Sequence, residues 1–167
     1  ETESEADILH TAEIMMDALP ICQVRKISYA TFTIVNAGLN GHVRVIEMGN
    51  PEFTILRRGE VVTIPSEEID SPKWENRTMR VYDFTIEADD RIIIYSDGIT
   101  QAGIGSTHYP LGWRVQGCAE FIRQTVGGRP GISAHELSEE ILREALRKEP
   151  RLVAGDDMTC AVIYFRE

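Results

Sequence analysis

The chain has 167 residues, 43% of them hydrophobic, and a formal net charge of −10 from 17 basic and 27 acidic side chains. This length allows one domain, residues 1–167, with a sizeable core. The acidic balance opposes nucleic-acid binding, which depends on Lys and Arg neutralising phosphates, and it opposes a polybasic membrane anchor.

Residues Glu1 to Leu19 predict an amphipathic helix, with Ile8, Ala12, Met15, Met16 and Leu19 as its apolar stripe and Pro20 as its stop. Ser4 with Asp7 has capping-box spacing, and acids crowd the first turn, where the helix dipole favours them. From Ser28 the period changes to two. Ala30, Phe32 and Ile34 share one face, Thr31, Thr33 and Val35 the other, and residues 29–48 form a predicted hairpin about Gly38-Leu39-Asn40-Gly41. Gly49-Asn50-Pro51 breaks the second strand. A further hairpin is expected across Arg58-Gly59. Ser66 to Asn76, with its acids and Pro72, reads as a surface loop. Residues 77–87 form another strand, with Tyr82, Phe84 and Ile86 on one face, and Asp89 and Asp90 follow as a solvated turn.

Ile92, Ile93, Ile94 and Tyr95 then make a continuous apolar run, the pattern of a strand buried on both faces. It ends at Ser96-Asp97-Gly98, where a carboxylate meets a glycine that allows a sharp turn. After a Gly-rich loop from Gly103 to Gly112, Trp113–Val126 predicts a helix with Val115, Cys118, Ala119 and Ile122 on one face. Ser133 and Glu136 form a capping box for a second helix carrying Leu137, Ile141, Leu142, Ala145 and Leu146, which Pro150 ends. Gly155-Asp156-Asp157-Met158-Thr159 is a polar turn before a last apolar strand. The order gives an α+β fold with helices packed on mostly antiparallel sheets.

Cys22, Cys118 and Cys160 are odd in number and far apart, so they are expected as small buried residues. His10, His42, His108 and His135 fall at no ligand spacing and are expected at the surface or in turns. No apolar run approaches about 20 residues and no signal sequence is present, so a cytoplasmic protein is expected.

Acids flank two core strands: Asp97 follows one, and Asp156 with Asp157 precedes the other. If these strands are antiparallel neighbours, Asp97 and Asp156 converge. Oxygen-only ligands suit hard cations such as Mg2+ or Mn2+. Alone, each acid pair is also explained by water-facing turns.

The strand-Ser-Asp-Gly motif, two helices and a Gly-Asp-Asp-Met-Thr turn before a strand resemble the PPM (PP2C-like) metal-dependent protein serine/threonine phosphatases, in the bacterial branch related to SpoIIE. Asp97-Gly98-Ile99 and Asp156-Asp157-Met158-Thr159 carry the resemblance. Residues 29–35, reading YATFTIV, and Gly49-Asn50-Pro51 extend it. It implies a PP2C-like α-β-β-α sandwich and hydrolysis of phosphoserine or phosphothreonine on a regulatory protein. Two divalent ions, Mn2+ or Mg2+, would share the attacking water, with Asp97 and Asp156 as metal ligands. Asp157 would orient Asp156 or cap the turn. The family's Asp-Gly-x-Gly segment, source of the bridging carboxylate, is not found before His10. The chain is therefore expected to match the C-terminal two-thirds or so of such a domain and to be a weak enzyme by itself. Expected partners are a phosphoprotein substrate, with no nucleic acid and no membrane, and self-association through an exposed sheet edge. Two alternatives stand: a non-catalytic interaction module that kept the fold, and an unrelated α+β domain.

Overall fold

Alternating and continuous apolar runs fold into eight strands and four helices in a computed structural model that describes residues 3–19, 31–71, 77–150 and 154–166, with side chains from Ile8 onward. The chain forms two compact units, Glu1–Asn50 with Ile64–Ile86, and Pro51–Thr63 with Glu87–Glu167.

In the first unit, β1 (Phe32–Ala37), β2 (His42–Met48), β5 (Ser66–Asp70) and β6 (Thr78–Thr85) form an antiparallel sheet in the order β1-β2-β6-β5. Helix α1 (Glu3–Ala18) buries Ile8, Ala12 and Met16 with Phe32, Ile46, Met48 and Met79 of that sheet, as its stripe predicts. The helix begins before Ser4, so Ser4 lies inside it and is not its cap. The β1–β2 hairpin pairs Ala37 with Val43 across Gly41, whose φ of 80° is the left-handed conformation glycine accepts without strain. Residues 29 and 30 of the expected hairpin, and Cys22, lie outside the described residues.

The segment expected as a surface loop begins with a strand. β5 pairs with β6 from Ser66↔Tyr82 to Asp70↔Thr78, and Glu68 stands opposite Arg80. Its residues are exposed apart from a half-buried Ile69, so the backbone ladder to β6 forms it without an apolar alternation to announce it. Residues 72–76 of that expected loop lie outside the described residues.

In the second unit, β3 (Thr54–Arg57), β4 (Glu60–Val62), β7 (Arg91–Tyr95) and β8 (Cys160–Tyr164) form a second antiparallel sheet in the order β4-β3-β7-β8. The predicted hairpin across Arg58-Gly59 joins β3 to β4. Helices α3 (Arg114–Gly128) and α4 (Ala134–Lys148) bury Cys118, Ile122, Leu137, Ile141 and Ala145 in a core shared with Ile93 and Tyr95. A fully buried Ile or Leu stabilises by roughly 1.5–3 kcal/mol relative to exposure, so these stripes hold the helices to the sheet. Both partners of the Ser133–Glu136 capping box are in place: the Glu136 N–H donates to Ser133 Oγ at 3.1 Å, and the Ser133 N–H donates to Glu136 Oε2 at 3.0 Å.

Asp89 and Asp90 part company. Asp89 is exposed, as expected. Asp90 is fully buried and takes the Arg57 guanidinium through Nε at 3.1 Å and Nη2 at 2.6 Å, with the Glu87 N–H donating at 2.8 Å. The pair joins the end of β3 to the start of β7. A carboxylate so partnered can be buried where a solvated one cannot.

Candidate metal centre

β7 and β8 are antiparallel neighbours, from Arg91↔Tyr164 to Tyr95↔Cys160. Ile92 and Ile93 are fully buried and Ile94 half-buried, so β7 is a rigid core strand as its apolar run predicts. The pairing brings the end of β7 to the start of β8, as the expected convergence of Asp97 with Asp156 requires.

Three hydrogen bonds carry the ladder past the strand ends. The Ser96 N–H donates to the Thr159 carbonyl at 2.9 Å, Ser96 Oγ donates to the Asp157 carbonyl at 2.9 Å, and the Thr159 N–H donates to Ser96 Oγ at 3.0 Å. Helix α2 (Asp97–Thr100) starts at once, with Ser96 as its N-cap residue. Gly98 then presses on the turn before β8. A Cβ there would fall on the Asp157 carbonyl oxygen and lie 3.0 Å from its carbonyl carbon and 3.4 Å from that of Asp156. Gly98 is thus required for close approach. It has no left-handed φ, so the sharp-turn role expected from the sequence is not the one it fills.

This stitching sets the backbones of 96–98 and 156–159 together while leaving the carboxylates outside. Asp97, Asp156 and Asp157 are all exposed. Among the described residues, the Asp97 carboxylate receives one long hydrogen bond, from Gln101 Nε2 at 3.4 Å. Asp156 Oδ1 accepts the Asp157 N–H at 2.8 Å, which orients that carboxylate on its own turn. Ser96 and Gln101 were not singled out in the sequence as positioning residues. The spacing of Gln101 from Asp97, one helical turn, is the signal that could have found the second.

The candidate donors are two exposed carboxylates, Asp97 and Asp156, on fixed backbone. Among the described residues, no group of three or more His, Cys, Asp and Glu side chains gathers to hold a metal ion. Two carboxylates fit Mg2+ or Mn2+, which keep several waters and take few protein oxygens, and do not fit a closed structural site. The two described thiols offer nothing here: burial pushes both Cys118 and Cys160 up to about 12, which keeps them protonated. The described histidines all lie exposed. No helix among the described residues is long and apolar enough to cross a membrane.

In the first unit a polar cavity of about 320 Å³ lies beside Glu47, Asn50 and Arg80. Arg80 Nη2 is engaged with Glu47 Oε2 at 2.7 Å and with the Asn50 carbonyl at 2.8 Å, so this arginine is tied into the sheet.

The sequence matches the family model for stage II sporulation protein E (SpoIIE) over residues 3–166. No match is found among curated proteins. Among solved structures, the chain is similar to the phosphatase domain of SpoIIE from Bacillus subtilis, presoaked with Mn (18% identity, TM-score 0.63, all of this chain and 76% of that one). It is similar to the RsbU and RsbW domains of a Mycobacterium tuberculosis protein (19%, TM-score 0.69, 99% of this chain and 42% of that one). A third similarity is to the catalytic domain of the serine/threonine phosphatase PstP, solved with 2 manganese ions (17%, TM-score 0.51, 81% of this chain and 57% of that one). These solved structures match the two antiparallel sheets and their helices, and with the family match over nearly the whole chain they lead to one conclusion: the chain belongs to the SpoIIE family of PP2C-like phosphatases.

Proposed function

We propose that this domain hydrolyses phosphoserine or phosphothreonine on a bacterial regulatory protein, with Asp97 and Asp156 as ligands to Mn2+ or Mg2+. The observation that supports this best is the stitched junction of β7 and β8, which presents two exposed carboxylates on backbone that the core holds still. Bound divalent ions supply an activated water and neutralise charge on the phosphoryl oxygens. The chain's own contribution is position. Ser96 ties the end of β7 to the turn that carries Asp156, Gly98 lets the two approach, and Gln101 reaches the Asp97 carboxylate.

One observation favours the non-catalytic module: no third acid joins Asp97 and Asp156 among the described residues. The two readings separate in an assay of the natural full-length protein on a phosphoserine peptide with Mn2+, beside its Asp97→Asn and Asp156→Asn variants. We expect turnover in the parent and its loss, by at least about 100-fold, in both variants. A parent that binds Mn2+ without turnover would establish the interaction module instead.

A further inference from the structure

We infer that Lys148, at the far end of α4, is a positioning residue for Asp97, acting through the loop of residues 101–113. This rests on the metal reading of Asp97 given above.

The Lys148 side chain is only 10% exposed, and its Nζ donates to Glu144 Oε1 at 2.8 Å and to the Tyr109 hydroxyl at 3.2 Å. The ammonium also lies 4.8 Å from the centre of the Tyr109 ring and 4.7 Å from that of Trp113, within cation–π range of both. Burial opposes the charge, but the bonds to Glu144 and Tyr109 outweigh it and hold the Lys148 pKa above its ordinary value. A buried ammonium between two aromatic rings of one loop grips that loop.

The backbone continues the grip. The Gly103 N–H donates to Glu149 Oε1 at 3.0 Å, and a Cβ on Gly103 would sit 2.7 Å from the Lys148 carbonyl oxygen. At the other end of the loop, a Cβ on Gly112 would sit 2.7 Å from both the Thr100 carbonyl oxygen and Gln101 Cα. One glycine thus seats the loop on α4, and the other seats it on the last turn of α2. Gln101, held there by Gly112, is the residue that reaches Asp97. The four-residue α2 is too short to keep its own geometry; Ile99, fully buried in the core, anchors it, Gly98 sets it against the turn before β8, and this loop seats its last turn.

The test is Mn2+ affinity by calorimetry, with thermal stability of the metal-free protein measured in parallel. Lys148→Met keeps the stem and removes the charge. We expect it to weaken Mn2+ about five- to tenfold, at or below the lower end of the roughly 10–100-fold lost when a direct neighbour of a metal ligand is removed. Tyr109→Phe deletes only one hydroxyl and should weaken Mn2+ by about twofold, which keeps the test available if Lys148→Met does not fold. Val126→Ala, a cut in the same core away from the loop, is the control. At an equal or larger loss of thermal stability it should leave Mn2+ affinity unchanged. Equal weakening in Val126→Ala and Lys148→Met would reduce Lys148 to a packing role and overturn the inference. Wild-type affinity in Lys148→Met, with binding lost in Asp97→Asn, would overturn the inference and leave the metal reading standing. Wild-type affinity in Asp97→Asn would overturn both.

Discussion

β7 carries an aspartate near each end, and the two have opposite fates. Asp90, just before the strand, is fully buried and engaged by Arg57 and the Glu87 N–H. Asp97, just after it, is exposed, and among the described residues its carboxylate meets the Gln101 amide at 3.4 Å. Both sit beside turns, and both look alike in a list of residues. The difference lies in what surrounds them. Asp90 has a cation placed to take both oxygens, so its charge is spent on holding β3 to β7. Asp97 has its backbone fixed by Ser96 and its neighbours while its oxygens stay available. An acid at a strand end becomes a candidate ligand when its backbone is committed and its carboxylate is not.

The sharpest way to break this contrast is to exchange the two roles. Asp90→Ala should cost about 3 kcal/mol in chemical denaturation, because it leaves the Arg57 charge without its buried partner, while Mn2+ affinity of the remaining folded protein holds. Asp97→Asn should do the reverse, with stability unchanged within about 0.5 kcal/mol. Gly98→Ala comes next. Its methyl group meets the Asp157 carbonyl, so a loss of about 2 kcal/mol together with weaker Mn2+ binding is expected from denaturation and calorimetry. Ser96→Ala removes two side-chain hydrogen bonds at the junction and should cost about 1 kcal/mol, with a smaller loss of Mn2+ affinity.

The smallest effect concerns pH. Burial opposes ionisation of Glu144, but Lys148 and Arg147 prevail and hold its pKa below the ordinary 4.5. A depressed carboxylate stabilises the fold above its unfolded pKa, and that contribution is lost as pH falls through the folded value. Stability should therefore decline below about pH 4.5, and Glu144→Gln should flatten that decline by less than about 1 kcal/mol.

What the sequence made legible follows from how local each signal is. The β7 and β8 strands are continuous apolar runs, and the capping box of α4 is two residues three apart, so all were readable along the chain. Asp90 was not, because the Arg57 that buries it lies 33 residues upstream and only the β3–β7 pairing brings it close. β5 was hidden for another reason: Ser66-Glu67-Glu68-Ile69-Asp70 has a single apolar residue, and its order comes from β6. At the candidate site the two acids were visible and their neighbourhood was predictable from strand pairing. The glycines were visible only as turn formers. That Gly98, Gly103 and Gly112 each face another backbone is a property of contacts, not of composition.

The central claim is that Asp97 and Asp156 together hold a divalent ion, and titration of Mn2+ into the protein and its Asp97→Asn, Asp156→Asn and Asp157→Asn variants tests it most directly. A saturable site in the parent is expected, lost in the first two variants and weakened by at most about tenfold in the third, with all four equally stable without metal. Unchanged Mn2+ affinity in folded Asp97→Asn or Asp156→Asn would contradict the account.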